Sequence, residues 1–309
     1  MIQKAVFSER SDLIVKQRKY RFINSHKHRK TMLICLYLLL SLHRSPVWAS
    51  EDGNYNFFQN TVKSVYDDAY TVITSPARMT GQDVLRLSAF SLITAGFIYR
   101  YDRQINEAFY RSTEKHDRDI GLLAFGKRCA KIGKVYNDIK PVCFLSGLTS
   151  VILLGGLIGH DSRLVDTAQL MTESFLITGA LTTLGKGFFG RSRPFVEKGP
   201  HDFNFFEFRM RNRFLSMPSG HTSAVFSVMT VIACQYPRWW IAWPAYGFCF
   251  SVAMERLKAH QHWASDVIVG GALGYWVGKT LVNKHKISLN KKSVYPSFLP
   301  DQMGINIHF

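Results

Sequence analysis

Several large function classes are missing from this 309-residue chain. There is no nucleic-acid-binding motif, and basic residues do not alternate with aromatics as they do on RNA-binding surfaces. The formal charge of +17 therefore does not point to DNA or RNA as a partner. The five cysteines, Cys35, Cys129, Cys143, Cys234 and Cys249, include no C-x-x-C pair, which argues against a zinc site or a redox couple. Cys143, Cys234 and Cys249 sit inside apolar runs and read as small buried hydrophobes. No carboxylates cluster at metal-ligand spacing, so neither a metal nor another cofactor is expected. No series of alternating residues and no hairpin signal argues for strands. Internal repeats and low-complexity segments are also lacking. Even the mean hydropathy, −0.04, is low for a protein that crosses a membrane several times.

What is present is unevenly distributed. Residues 1–30 hold nine Lys/Arg against Glu9 and Asp12, a local excess of +7. An apolar run follows at 31–42, too short to span a bilayer comfortably, and then Ser45-Pro46-Val47-Trp48-Ala49, with small residues placed for cleavage after Ala49. Residues 1–49 thus read as a basic leader with a secretory signal. Residues 50–137 read as a polar, partly amphipathic region, 138–285 as the functional core and 286–309 as a basic tail.

Long uncharged or nearly uncharged runs occupy Pro141–Gly159, Thr167–Thr183, Thr222–Tyr236, Trp239–Met254 and Val267–Val282, with a further one at 84–100 interrupted by Arg86. Their lengths favour helix over strand. The expected fold is an all-α bundle of about six apolar helices embedded in a membrane, with the 19-residue Pro141–Gly159 the strongest span. Tryptophans 239, 240, 243, 263 and 276 stand near run ends, as interfacial aromatics do, and Lys284, Lys286, Lys291 and Lys292 argue for a cytoplasmic C-terminus. Counting back from that end puts the chemistry-bearing stretches described next outside the cytoplasm. A cleaved leader conflicts with six crossings, because the C-terminus would then finish outside. Either residues 84–100 do not cross, or the leader is kept, or the bundle is soluble.

Three stretches in the second half combine into one phosphate-handling inventory. Lys186 and Arg193-Pro194 are separated by six residues. Pro218-Ser219-Gly220-His221 precedes an apolar helix. Arg256 is followed by His262 and then Asp266. A phosphate ester keeps its charge while its P–O bond breaks, so catalysis is mostly positioning and electrostatic stabilisation. Lys186, Arg193 and Arg256 supply fixed cations, and the planar fork of arginine suits phosphate oxygens. Ser219 and Gly220 offer helix-start amides to an anion, with no side chain at Gly220 to hold it off. His262 and Asp266, four apart, can place a carboxylate beside the imidazole and raise its nucleophilicity. His221 is then available as general acid. Taken singly, each stretch has a bland reading: a histidine cap, an interfacial lysine, an uninformative Arg-Pro.

The ordered set resembles the three signature motifs of the type 2 phosphatidic acid phosphatase family, which shares its active-site plan with vanadium-dependent haloperoxidases. The resemblance covers roughly residues 140–283. Position by position it implies phosphate binding by Lys186, Arg193, Ser219, Gly220 and Arg256, and catalysis by His221, His262 and Asp266. It also implies an all-helical core, a phosphohistidine intermediate and no metal. Glu255 departs from the pattern, standing where the family usually has serine. The implied activity is hydrolysis of a lipid phosphate monoester or diphosphate on the extracytoplasmic side, with lipid phosphate and membrane lipids as partners and no nucleic acid. A soluble periplasmic acid phosphatase, a haloperoxidase and a non-catalytic lipid-binding bundle are the alternatives. His260, two residues before His262, reads as structural. Residues 202–214, with five phenylalanines and three arginines, read either as an interfacial flap or as a loop folding its aromatics onto the bundle.

Overall fold

The computed structural model describes residues 57–114, 121–209 and 211–292. The basic leader, the signal-like segment and the far C-terminal tail lie outside the described residues. What is described is almost entirely helical, as the length of the apolar runs predicted. Among the described residues the one β pairing is an isolated bridge between Arg191 and Phe203, in the irregular stretch between Gly190 and Ser219.

Helix α1, Phe57–Thr74, is tied to the bundle by charge. Its Asp68 is buried and takes Lys284 at 2.5 Å and His285 at 3.2 Å. Helix α2, Gly81–Gly96, opens on a capping box in which Thr80 and Asp83 satisfy each other's backbone amides. Without a break it passes through a π turn, Phe97–Tyr101, into α3, Asp102–Glu114. Residues 84–100 thus form one continuous helical stretch whose outer side leaves Leu85, Leu92 and Ile93 exposed.

Helices α4, Leu122–Ile139, and α5, Pro141–Ile158, are separated by Lys140 alone, held at φ 75°. Proline at the first position of α5 costs no hydrogen bond there. Among the described residues α5 is the one helix long and apolar enough to cross a membrane. Val151 and Ile158 on it are 67% and 79% exposed, an orientation that suits lipid better than water. The other expected runs are helical, but they are shorter or carry charge. Helix α6, Ser162–Phe189, contains Glu173 and Lys186, and α7, Gly220–Gln235, has 16 residues.

The core lies where α5, α6, α7, α8 (Trp239–Lys258) and α9 (Ala264–Lys292) meet, around Leu145, Met171, Val225, Val228, Val252 and Leu281. Of the cysteines expected inside, Cys249 is buried and Cys143 and Cys234 are half-buried. The tightest seam joins α7 to α9. Gly270, Gly274 and Gly278 follow one another at four-residue steps on α9, and Ser219, Ser223 and Ser227 do the same on α7. A Cβ on Gly274 would stand 2.2 Å from the Ser223 carbonyl oxygen, and one on Gly278 would stand 2.6 Å from that of Ser227. Small residues on both sides let the two backbones touch. This register brings the start of α7 and the start of α9 to the same end of the bundle, and all three sequence stretches converge there.

Candidate active site

Lys186 occupies the last turn of α6. The helix stops at Gly190, which adopts the left-handed conformation at φ 51°. A Cβ there would fall 1.8 Å from the Asn204 carbonyl oxygen, so glycine alone fits the close pass of the 202–214 loop. The chain then runs through Arg191, Ser192 and Arg193. Arg193 bonds Gln261 Oε1 at 2.5 Å, which sets the guanidinium beside the turn that carries His262.

Ser219 caps the start of α7. It is fully buried, its amide donates to the Asp266 carbonyl at 3.0 Å, and its hydroxyl meets Thr222 Oγ1 at 3.0 Å. A Cβ on Gly220 would come within 3.2 Å of Lys186 Nζ, so the ammonium group sits over this glycine. The lysine and the helix start therefore address the same point in space. The bond between Thr182 and Ser223, 2.8 Å, holds α6 to α7 behind them. His221, one residue on, is half-buried with its ring edge-on to Tyr136.

Arg256 ends α8 and is buried with Glu255, whose carboxylate binds its guanidinium Nε at 2.5 Å. The departure at Glu255 thus has a consequence: one cation of the site is partly neutralised by its own neighbour.

His262 lies in the short turn between α8 and α9, 2% exposed. Its Nδ1 is 2.7 Å from the Ser216 carbonyl oxygen. A carbonyl only accepts, so Nδ1 carries the proton and Nε2 keeps its lone pair. Asp266 Oδ2 stands 3.9 Å from Nδ1, a charge contact that puts the carboxylate beside the imidazole, as the four-residue spacing suggested. That oxygen is committed to Ser216 Oγ at 2.5 Å and to the Trp263 amide at 2.8 Å. The tautomer is therefore set by a backbone carbonyl, with the carboxylate one step behind.

Burial outweighs the pull of Asp266 and, with Arg193 and Lys186 nearby, brings His262 down to about 4. The ring is thus neutral, as a nucleophile must be, throughout the neutral range. His221 is also held well below its ordinary value, first by burial and then by Arg256, His262, Lys186 and Arg193. A phosphate dianion among those cations would reverse that bias and favour the imidazolium that a general acid requires.

All eight residues singled out in the sequence meet at this end of the bundle. His260 is structural in this geometry: its Nδ1 bonds Asn106 Oδ1 of α3 at 2.9 Å. Three groups escaped the sequence reading. Ser216 contributes its carbonyl, Gln261 steadies Arg193, and Arg191 fills the centre of a buried cluster with Asp102 and Asp266 at 2.7 and 2.6 Å. Removing a buried partner of this kind typically costs about 3–5 kcal/mol. The signal for Arg191 was its place between Gly190 and Arg193, where a third cation exceeds what a phosphate clamp of Lys186 and Arg193 requires.

The 202–214 loop divides its aromatics. Phe214 is buried, and Phe203 stacks beneath Arg191 at 5.0 Å. Phe205, Phe206 and Phe208 stay more than half exposed, beside the partly exposed Phe188 of α6. Backbone bonds from Asn204 to Gly190 and from Phe206 to Phe188 fasten the loop to the end of α6.

A family model described as the PAP2 superfamily matches residues 168–288, which include all eight residues. The chain is 35% identical over 175 residues to a lipid A 1-phosphatase of Rhizobium etli, spanning 52% of this chain and 73% of that protein. It is 35% identical over 103 residues to a lipid A 1-phosphatase of Rhizobium johnstonii, spanning 33% of this chain and 41% of that protein. To a lipid A 1-phosphatase of Porphyromonas gingivalis it is 27% identical over 152 residues, spanning 48% of this chain and 31% of that protein. The chain thus spans less than half the length of two of these three relatives. The crystal structure of Aquifex aeolicus LpxE aligns with 59% of this chain and 92% of its own at 20% identity, with a TM-score of 0.39.

Proposed function

This chain belongs to the PAP2 superfamily, and from that premise we propose that it is a phosphatase that hydrolyses a lipid phosphate ester through a phosphohistidine on His262. The observation that carries the reading is the Nδ1 contact of His262 with the Ser216 carbonyl. It leaves the Nε2 lone pair available in a setting of Lys186, Arg193, Arg256 and His221. Nε2 attacks phosphorus while the bond to the lipid oxygen breaks, and His221 gives that oxygen its proton. Water then attacks the phosphohistidine and returns a proton to His221, releasing inorganic phosphate and free His262. The three cations and the start of α7 bind the phosphoryl oxygens and stabilise their charge in both steps.

The relatives favour the 1-phosphate of a lipid A-type glycolipid as substrate. The exposed phenylalanines beside the site and the apolar α5 suit an enzyme that meets its substrate at a membrane surface, with its active end on the extracytoplasmic side. The test is phosphate release by the full chain in detergent or vesicles, from lipid A, phosphatidate, a polyprenyl diphosphate and nitrophenyl phosphate. Release from none of them overturns the reading. Release from the water-soluble ester alone favours a small-ester phosphatase instead.

Two further results are expected. The first concerns His221. His221→Ala lowers turnover of lipid esters, whose alkoxide leaving group needs a proton, by about 100-fold or more, and that of nitrophenyl phosphate far less. Equal losses on both would remove His221 from the general-acid role. In the wild type, kcat/KM falls on the acid side as His262 takes up a proton and on the basic side as His221 loses one. Both groups are depressed in the free site, so the optimum lies on the acid side of neutrality. The kcat profile extends to higher pH, because bound phosphate dianion supports protonated His221.

The second concerns Phe205 and Phe206. Changing both to serine raises KM for a long-chain lipid phosphate by more than about tenfold, since each buried aromatic is worth about 1.5–3 kcal/mol of apolar contact. A short soluble ester is turned over as before. Equal loss on both substrates would make the loop a packing element rather than a lipid contact.

A further inference from the structure

We propose that Asp102, acting through Arg191, is a positioning residue for the His262 nucleophile; this rests on the phosphatase reading above. Arg191 is completely buried and every arm of its guanidinium is engaged. Nη1 donates to Asp266 Oδ1 and to Ser265 Oγ, both at 2.6 Å. Nη2 donates to Asp102 Oδ2 at 2.7 Å and to the Pro200 carbonyl at 2.6 Å, which Nε also reaches at 3.0 Å. Asp102 in turn accepts from the Ser265 amide at 2.9 Å and from the Ser265 hydroxyl at 2.6 Å. It therefore caps the first turn of α9, the same turn that carries Asp266.

The supply of Asp102 is itself built into the backbone. The π turn just ahead of it puts the Asp102 amide on the Phe97 carbonyl, five residues back, and so changes the face on which α3 begins. Phe109 then packs α3 onto Ala253, Leu257 and Val267, and Asn106 holds His260 in the turn before His262. One helix from outside the sequence stretches that carry the chemistry braces the loop that holds the nucleophile.

The electrostatic logic follows from counting charges. Two carboxylates and one guanidinium leave a net single negative charge behind Nδ1. That charge steadies the imidazolium that forms when Nε2 bonds to phosphorus. The other groups facing His262 are Lys186 from α6, Arg193 from the loop after it, His221 from α7 and Arg256 from α8. Lys186 and Arg193 are positive and Arg256 is paired with Glu255, so among the described residues Asp266 is the negative group in contact with the ring, and its effective charge depends on what Arg191 does. Without Asp102, Arg191 turns wholly to Asp266 and cancels it. Without Arg191, both carboxylates stand uncompensated.

The two losses therefore act in opposite directions. Asp102→Asn, which keeps the shape and an acceptor for the Ser265 amide but removes the charge and the acceptor facing Arg191, should lower kcat by about 10- to 100-fold with KM within about twofold. It should also move the acid limb of kcat/KM to lower pH. Arg191→Gln should lower kcat as well but move that limb to higher pH. Arg191→Lys, which keeps the sign and loses the fork, should lower kcat and leave the limb near its wild-type position. The pH of half-protonation of His262 is read independently by nitrogen NMR of the full chain in detergent, with His262→Gln supplying the assignment. If Arg191→Gln does not fold, Arg191→Lys takes its place, and a limb displaced to lower pH in it as in Asp102→Asn overturns the proposal. Shifts of the same sign in Asp102→Asn and Arg191→Gln, or wild-type titration and turnover in Asp102→Asn, overturn the proposal. The NMR titration needs no turnover. A wild-type chain that releases no phosphate from any ester would therefore sink the phosphatase reading without deciding the electrostatic one.

Discussion

His262→Ala leaves a folded bundle that no longer turns over substrate. The substitution removes one buried ring and leaves the Ser216 carbonyl without its donor, a cost of about 1–3 kcal/mol. A domain with a stability of about 5–15 kcal/mol survives that. Chemistry does not, because the attacking lone pair is gone. Losses on removing a nucleophile reach about a millionfold. The check is a quench with base, which spares phosphoramidates, after a short reaction with a substrate carrying labelled phosphate. Wild type and His221→Ala should carry the label on His262, and His262→Ala should carry none. Label on a serine, or activity of His262→Ala within about tenfold of wild type, would assign the nucleophile elsewhere.

Gly274→Ala is expected to have the second-largest effect, although it lies two turns from any reacting group. Its new methyl would stand 2.2 Å from the Ser223 carbonyl oxygen and 2.8 Å from the Ser227 amide, both backbone atoms that no rotamer change can move. Helices α7 and α9 must separate. Ser219, Gly220 and His221 ride on one of them and Asp266 on the other, so the separation appears as misplacement at the phosphate. A displacement of about 1 Å costs about 100-fold in rate, and the overpacking itself costs about 1–3 kcal/mol of stability. Gly147→Ala is the matched control, since nothing lies within 4 Å of a Cβ at that position on α5. Full activity in Gly274→Ala, or equal damage from both substitutions, would contradict a seam that aligns the site.

The helices and the eight candidate residues that the structure brings together were legible in the sequence for the same reason: both are written in short spacings. Apolar runs longer than a strand declare helices, and a lysine seven residues before an Arg-Pro or a histidine four from an aspartate is visible within one window. What was not legible acts over distance or without a side chain. The group that orients His262 is the backbone carbonyl of Ser216, which no residue letter encodes. Asp102 is 164 residues before Asp266, and nothing local marks it as different from the other charges of a polar stretch. The Asp266 contact was legible only in part: the carboxylate does stand beside the imidazole, but its other partners were not visible. Spacing places a carboxylate on the correct face of a helix start, but it does not show that the Trp263 amide and the Ser216 hydroxyl share its oxygen. The 202–214 loop shows the limit of composition. Its phenylalanines divide between interior and surface according to which backbone atoms the loop bonds, and composition does not encode that.

The brace formed by α3 also bears on how this protein can be divided. The stretch that identifies the family begins at residue 168, yet the partner of the most deeply buried arginine beside the site comes from residue 102. A piece cut to the shared stretch would carry every signature residue and still expose the Arg191 guanidinium where a carboxylate had been. The smallest self-sufficient catalyst is therefore longer than the part that makes the chain recognisable. Grafting this active site onto a different bundle would mean moving a helix that bears none of its motifs.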